Sequence, residues 1–423
     1  MPGADCEVVV VGGGPAGSTA GNLLSRAGRK VVVLERERFP RFHIGESLLP
    51  VNVPLLERLG VREEIERLGS PHKHGVLLVN GEGSVESRVY FRDGLVTVSS
   101  PTFQVLRSAF DELLLRAAAR AGADVREGER VVDAKRSDDG WTVRVQRSGG
   151  EPYELRAPFL VDASGRDTLL ARKWRSKRMA GEHRRVTLFA HLRGVELDPG
   201  IDAGSTILVM LRDGWFWIIP LPDGVTSVGV VMDGATFRAR KLDVETAYER
   251  AVAACPFVRG RTERAARVTP VHTTSDFSYR TAPPREDRCV LAGDAFAFID
   301  PIFSSGVWLA MQGGAKAAAV LDRCLDAPRR SARLLRAHHA SELRLHRHYW
   351  RLIEYFYRPE FPEIFLQPQS RFRLPAAVNS VLAGVPADRG GLRLRLALFL
   401  WIVRLQRYFP LSPAVPRASV LGE

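Results

Sequence analysis

Two glycine-centred stretches carry the chemistry open to this chain. Near the start, Gly12-x-Gly14-x-x-Gly17 follows an apolar run at 6–11 and precedes a helical pattern, and Glu35 ends the next apolar run. That order suits a dinucleotide. Gly12 makes the tight turn, Gly14 lets the backbone approach a pyrophosphate, Gly17 lets the helix pack on the strand, and Glu35 accepts hydrogen bonds from a ribose. Far along the chain, Gly293-Asp294 follows the apolar run 289–292, and Ser304-Ser305-Gly306 precedes a helical pattern at 307–325. The aspartate offers a carboxylate to ribose-like hydroxyls. The serines and glycine offer backbone N–H groups to an anion at a helix start. Without a second glycine-rich strand–turn–helix unit for nicotinamide, the reading is FAD stretched over one fixed site. Its electrons come from a transient NAD(P)H or from a separate reductase.

These residues need an open parallel sheet, which binds ligands beyond the carboxyl ends of its strands. Runs at 6–11, 30–34, 159–162 and 289–292 read as its buried strands. A helix with Ser47 near its cap is expected to run towards Gly60. Residues 107–121 read as an amphipathic helix, and 130–136 with 141–147 alternate around Asp138-Asp139-Gly140 as a hairpin. Residues 73–106 read as short strands. Four strand-like runs over 185–232, separated by turns such as Leu221-Pro222-Asp223-Gly224, form a second layer. Residues 329–357 read as a long charged helix, and Gly313-Gly314 mark a close approach in the helix before it. The fold class is therefore α/β, in three parts: a Rossmann-type FAD-binding domain (1–70, 101–170 and 286–328), an antiparallel β-sheet substrate domain (71–100 and 171–285), and a C-terminal helical region (329–423).

Composition excludes some functions. Net charge is +13, but no long basic tract or aromatic–basic alternation suits nucleic acid. Of 61 basic residues 54 are Arg and seven are Lys, a skew that reads as codon bias; the basic surface also suits docking of an acidic partner protein. Four scattered cysteines suggest neither a disulfide framework nor a metal pair. With an apolar strand almost at the start and no basic leader, a cytoplasmic location is expected. His339, Glu342 and His346 share a helix face, yet further ligands are missing; a solvated face and no metal are expected. Residues 396–403 are apolar between Arg395 and Arg404, far short of the ~20 needed to cross a bilayer. They read as a core or lid helix, or as a membrane-surface element.

Four stretches together resemble the flavin-dependent halogenases, within the single-FAD monooxygenases: Gly12-x-Gly14-x-x-Gly17; Gly45-Glu46-Ser47-Leu48-Leu49-Pro50; Trp215-x-Trp217-x-Ile219-Pro220; and Phe298-x-x-Pro301-x-x-Ser304-x-Gly306. In that family reduced FAD reacts with oxygen, halide is oxidised to hypohalous acid, and the acid crosses an internal tunnel to a lysine beside the substrate. The resemblance and the fingerprint assign FAD contacts to Gly12, Gly14, Pro15, Ala16, Gly17, Glu35, Arg36, Gly45, Glu46, Ser47, Arg107, Gly293, Asp294 and Pro301. Ser305 and Gly306 are assigned to chloride or bromide, held by backbone N–H groups. Lys73, Trp215, Trp217 and Ser304 are assigned to catalysis. The two tryptophans fall on one face of their strand, where they would keep substrate and water from the flavin. Lys73 matches the family's Lys-x-Gly as Lys73-His74-Gly75. An amine can shed its proton and carry an electrophilic halogen, whereas an arginine stays charged. Two departures narrow the reading. The aromatics expected around the lysine are Ser70 and Leu78, and the acid that tryptophan-acting members carry before the serine of the last motif is Phe303. The second points to the phenol- or pyrrole-type branch, whose substrates are often tethered to an acyl or peptidyl carrier protein and whose FADH2 comes from a separate flavin reductase.

The same scaffold also serves flavoprotein aromatic hydroxylases and geranylgeranyl-reductase-like oxidoreductases, which share the glycine fingerprint, residues 162–166 and Gly293-Asp294. A flavin-binding scaffold without turnover is a third reading.

Overall fold

The computed structural model describes residues 3–179, 185–275, 278–282, 284, 287–366, 374–387 and 391–422. Five parallel strands lie in the order Cys289–Leu291, Phe159–Asp162, Val8–Val11, Val31–Glu35 and Asp124–Glu127. The central strand is four buried valines, as a strand covered on both faces requires. Val8 and Val10 pack under the helices Pro15–Arg26, Arg107–Arg120 and Gly306–Asp326. Val9 and Val11 pack instead on a three-stranded antiparallel sheet built around the hairpin Glu129–Ser137 and Gly140–Arg147. Period-two alternation thus assigns one strand to two cores. Gly314 allows the close helix crossing read from Gly313-Gly314, since a Cβ there would stand 2.2 Å from the Ala16 carbonyl oxygen.

The second layer is an eight-stranded sheet running from Ala266–Arg267 through Arg185–Arg193, Val225–Asp233, Gly214–Pro220, Thr206–Met210 and Gly75–Asn80 to Glu86–Tyr90, with His272–Ser275 added to Arg185–Arg193. It is antiparallel except where Thr206–Met210 runs parallel to Gly75–Asn80, so the expected all-antiparallel layer is mixed at one seam. Along Gly214–Pro220, Phe216 and Ile218 point to a core under the helix Val244–Ala254. Trp215, Trp217 and Ile219 point to the opposite core, shared with the C-terminal helices.

One expectation for the C-terminal part needs correction. The face carrying Glu342 and His346 on the helix Ser331–Phe356 is buried, not solvated. Lys316 donates to Glu342 Oε1 at 2.7 Å, and the rings of His339 and His346 stand edge-on to Phe296. Among the described residues no cluster of three or more His, Cys, Asp or Glu could hold a metal. The apolar run near the end lies in the helix Leu392–Gln406, which buries Leu396, Phe399, Leu400 and Val403 but leaves Trp401 and Leu394 exposed. None of the described helices is long and apolar enough to cross a membrane.

Candidate active site

A cavity of about 600 Å³ opens at the carboxyl ends of the parallel strands and reaches across to the tryptophan face of the second sheet. Gly12 takes φ +102°, and a Cβ there would sit 2.3 Å from the Ala163 carbonyl oxygen. Gly17 lies behind the turn, its missing Cβ 1.8 Å from the Gly12 oxygen. It shapes the cradle without lining it. Gly14, Pro15 and Ala16 line the cavity, where the first N–H groups of the helix Pro15–Arg26 point at any bound anion. Glu35 also lines it; its Oε2 accepts from Gly13 N at 2.7 Å and its Oε1 from Glu37 N at 2.9 Å, which fixes the carboxylate at the strand end. Arg36 lines the mouth and pairs with Asp167 from the facing loop.

The segment Gly45-Glu46-Ser47 forms the next part of the wall. Ser47 does not cap a helix, contrary to expectation. It bridges to Gln104 in extended backbone, and the helix Val53–Leu59 starts only after the turn Pro50–Asn52, with Asn52 Oδ1 accepting from Leu49 N at 3.0 Å. Arg107 braces this segment from the helix Arg107–Arg120. Its guanidinium donates to both oxygens of Asp111 (2.7 and 2.8 Å) and to the Ile44 carbonyl at 2.6 Å. Glu46 is buried; its Oε1 meets His191 Nε2 at 2.7 Å, while its Oε2 has no partner among the described residues.

Asp294 lines the far end, and burial raises its carboxyl to about 6 although Arg107, Arg166 and Lys177 pull the other way. Gly293 stands behind it at φ +59°, a missing Cβ away from Ala16 and Ala310. Pro301, Ser304 and Gly306 line the cavity; Ser305 is buried beside it, its hydroxyl unpartnered. Ser304 adopts the left-handed conformation at φ +53°, turning the chain into the helix Gly306–Asp326. The first N–H groups of that helix lack intrahelical acceptors.

Trp215 and Trp217 line the wall opposite, ring centroids 5.8 Å apart. Trp217 donates to Ser227 Oγ at 3.1 Å, and a Cβ on Gly229 would fall 2.2 Å from its ring. Trp215 donates to Tyr357 Oη at 2.9 Å, which donates in turn to Asp300 Oδ2 at 2.7 Å. Asp300 Oδ1 accepts from Ile302 N at 3.1 Å. A chain of hydrogen bonds therefore joins the indole wall to the 301–306 loop.

Lys73 is buried and does not line the cavity. It sits on the two-residue strand His72–Lys73, paired with Thr102–Phe103. Its Nζ donates to Ser47 Oγ at 2.8 Å and to the Leu48 carbonyl at 3.4 Å, and lies 5.3 Å from the Phe91 ring centre. Burial pulls its ammonium down from 10.5 to about 7. Where an acid was expected in some relatives, Phe303 packs edge-on to Phe356.

Sequence reasoning missed His191, Thr206, Gln104 and Tyr357. Their partners lie far away in sequence, at separations of 145 for His191–Glu46 and 159 for Thr206–Ser47, and no local pattern announces such pairs. The residues present fit a dinucleotide. Glycines make a cradle that a Cβ would fill, a carboxylate stands at each end, and the Glu46 oxygen is left for a ligand.

Comparison with known proteins agrees with this geometry. The family described as FAD binding domain matches residues 5–349. A 1H-pyrrole-2-carbonyl-[peptidyl-carrier protein] brominase of Pseudoalteromonas luteoviolacea is 35% identical over 324 residues, covering 76% of this chain and 78% of that protein. The corresponding chlorinase of Pseudomonas fluorescens is 32% identical over 333 residues, 74% of each. Among solved structures, the flavin-dependent brominase Bmp2 superposes with TM-score 0.85 at 28% identity, covering 95% of this chain and 99% of that one. The myxobacterial chondrochloren halogenase CndH superposes with TM-score 0.77 at 27% identity, covering 95% and 97%.

Proposed function

We infer, for a chain that belongs to the flavin-dependent halogenases, that halide is oxidised to hypohalous acid in the cavity and consumed at Lys73, where an electron-rich aromatic is halogenated. Bound FAD, reduced by a separate flavin reductase, supplies the electrons that oxygen takes up. Gly12, Gly14 and the start of the first helix hold its pyrophosphate, Glu35 its ribose, and Asp294 the hydroxyls of its ribityl chain. Chloride or bromide sits against the first N–H groups of the helix Gly306–Asp326, beside Ser304. The indoles of Trp215 and Trp217 exclude water and substrate from the ring system.

One observation carries this reading. Among the described residues Lys73 is enclosed with two oxygen acceptors and no carboxylate, and a hydroxyl on the cavity wall is its nearest partner. Burial without a counter-charge favours the neutral amine, which binds hypohalous acid and passes on its halogen. The aromatic carbon then takes the halogen and loses its proton, and water leaves with the original hydroxyl. Phe303 and the lack of an acid at Lys73 favour pyrrole or phenol, rings that need no carboxylate to help them attack. Two relatives act on pyrrole held by a peptidyl carrier protein, and a chain of net charge +13 suits an acidic carrier.

Turnover with FAD, a flavin reductase, NADH and either chloride or bromide tests the reading, with a free or carrier-bound pyrrole or phenol as acceptor. Halogenated product should form and should vanish in Lys73→Ala while FAD stays bound. Hydroxylated product that is indifferent to halide would overturn it.

A further inference from the structure

Ser47 stands between the cavity and the buried amine of Lys73. Its hydroxyl lines the flavin cavity and accepts from Lys73 Nζ at 2.8 Å. It also lies 3.0 Å from Thr206 Oγ1, a second hydroxyl on the cavity wall. Gln104 stands behind them, its Nε2 donating to Thr206 Oγ1 at 2.9 Å and to the Gly204 carbonyl at 3.0 Å. Resting on the halogenase reading above, we propose that the paired hydroxyls of Ser47 and Thr206, braced by Gln104, are the polar gate by which hypohalous acid passes from the flavin cavity to Lys73.

Hydrogen counting supports a gate over a plain wall. Each hydroxyl has one hydrogen and two lone pairs. If Ser47 donates to Thr206, the two acceptor sites of Thr206 are filled, by Ser47 and Gln104, and its own hydrogen is unspent; one lone pair remains on Ser47. If Thr206 donates, Ser47 is filled by Thr206 and Lys73, and the Ser47 hydrogen is unspent; one lone pair remains on Thr206. Either way the pair presents one donor and one acceptor. Hypohalous acid carries one O–H and an oxygen that accepts, so it satisfies both. Halide ion, which only accepts, satisfies one and leaves the other open. On the tryptophan side both indole N–H groups are already engaged. Ser47 then has only to exchange its bond to Lys73 for one to the incoming acid. Ser47, Thr206 and Gln104 are positioning residues here, and the halogen bonds to none of them.

The test is how oxidant divides between product and solution. With bromide, a saturating aromatic substrate and a β-diketone trap in the medium, Thr206→Val should lower the ratio of halogenated product to trapped oxidant about tenfold. Thr206→Ser, which restores the hydroxyl, should return it towards the original value. Gln104→Met, set back from the cavity, should move the ratio the same way by a smaller factor and provides a second variant should Thr206→Val fold poorly. A readout independent of turnover is available because the chain has only seven lysines. The Nζ signal of Lys73 in protein labelled with 15N-lysine should titrate about one pH unit lower in Ser47→Ala, which removes an acceptor from the charged form. An unchanged product-to-oxidant ratio in both Thr206→Val and Gln104→Met, with halogenation intact, would overturn the gate and leave the halogenase reading standing. Absence of both product and trapped oxidant in the unsubstituted enzyme would instead overturn that reading.

Discussion

Replacing Lys73 with methionine should make the protein more stable at neutral pH even as it removes the amine assigned to catalysis. Among the described residues the side chain is buried with no carboxylate nearby, and burial lowers its ammonium from 10.5 to about 7. A lowered lysine means that the unfolded chain binds the proton more readily than the folded one. Stability is thus full above pH 10.5 and falls as the pH drops towards 7. The drop from 10.5 to about 7 corresponds to about 5 kcal/mol at roughly 1.4 kcal/mol per pH unit. Methionine of similar length carries no such penalty, but the two hydrogen bonds to Ser47 and Leu48 are lost, at about 1 kcal/mol each. Below pH 7 Lys73→Met should therefore exceed the unsubstituted protein by roughly 3 kcal/mol. The advantage should shrink by about 1.4 kcal/mol per pH unit above 7 and reverse sign before pH 10.5. Urea unfolding of the two proteins between pH 6.5 and 10 measures this directly. A difference that does not change with pH, or a variant that is less stable throughout, would mean that Lys73 is solvated or paired. The mechanism assigned to it would fall with that result.

Two further outcomes are expected. FAD should bind progressively more weakly as pH falls below about 6, where Asp294 takes up a proton and ceases to be a charged acceptor; flavin fluorescence titrations should show this dependence and its disappearance in Asp294→Asn. Gly229→Ala, ordinarily a mild change in a strand, should cost about 1–3 kcal/mol by overpacking, because the new Cβ would fall 2.2 Å from the Trp217 ring. A lower melting temperature together with altered tryptophan fluorescence would check it, and no change in either would refute the tight contact.

Local chemistry explains how much of this site was legible beforehand. The cradle at Gly12 and Gly17, the carboxylates Glu35 and Asp294, and the facing of Trp215 and Trp217 all follow from short-range rules: φ above zero, close backbone approach, and alternation along a strand. The enclosure of Lys73 could not be read the same way. Its walls come from Ser47, Leu48 and Phe91, on segments whose meeting depends on the pairing of His72–Lys73 with Thr102–Phe103. Misplacing Ser47 as a helix cap has a similar origin. A serine before a helical pattern satisfies the capping rule, but Pro50 and Asn52 begin the helical turn later, which leaves the hydroxyl free to face the cavity.

The C-terminal helices were the least informative part of the sequence, yet they back the indole wall of the cavity. Tyr357 follows the helix Ser331–Phe356 and sits between Trp215 and Asp300, so one buried hydroxyl ties the indole wall to the loop assigned to halide. Asp300 forms no salt bridge among the described residues; burial raises its carboxyl, while the Tyr357 hydroxyl, the charge of Arg185 and the Ile302 N–H hold it down. A hydrogen-bonded buried carboxylate of this kind favours one geometry over its neighbours, since each alternative strands a polar group. Under the proposed function, separation of oxidant from substrate would depend on more than the bulk of two tryptophans. It would also need Tyr357, far along the chain, to hold the Trp215 indole through its hydrogen bond, and that dependence has no counterpart in any local motif.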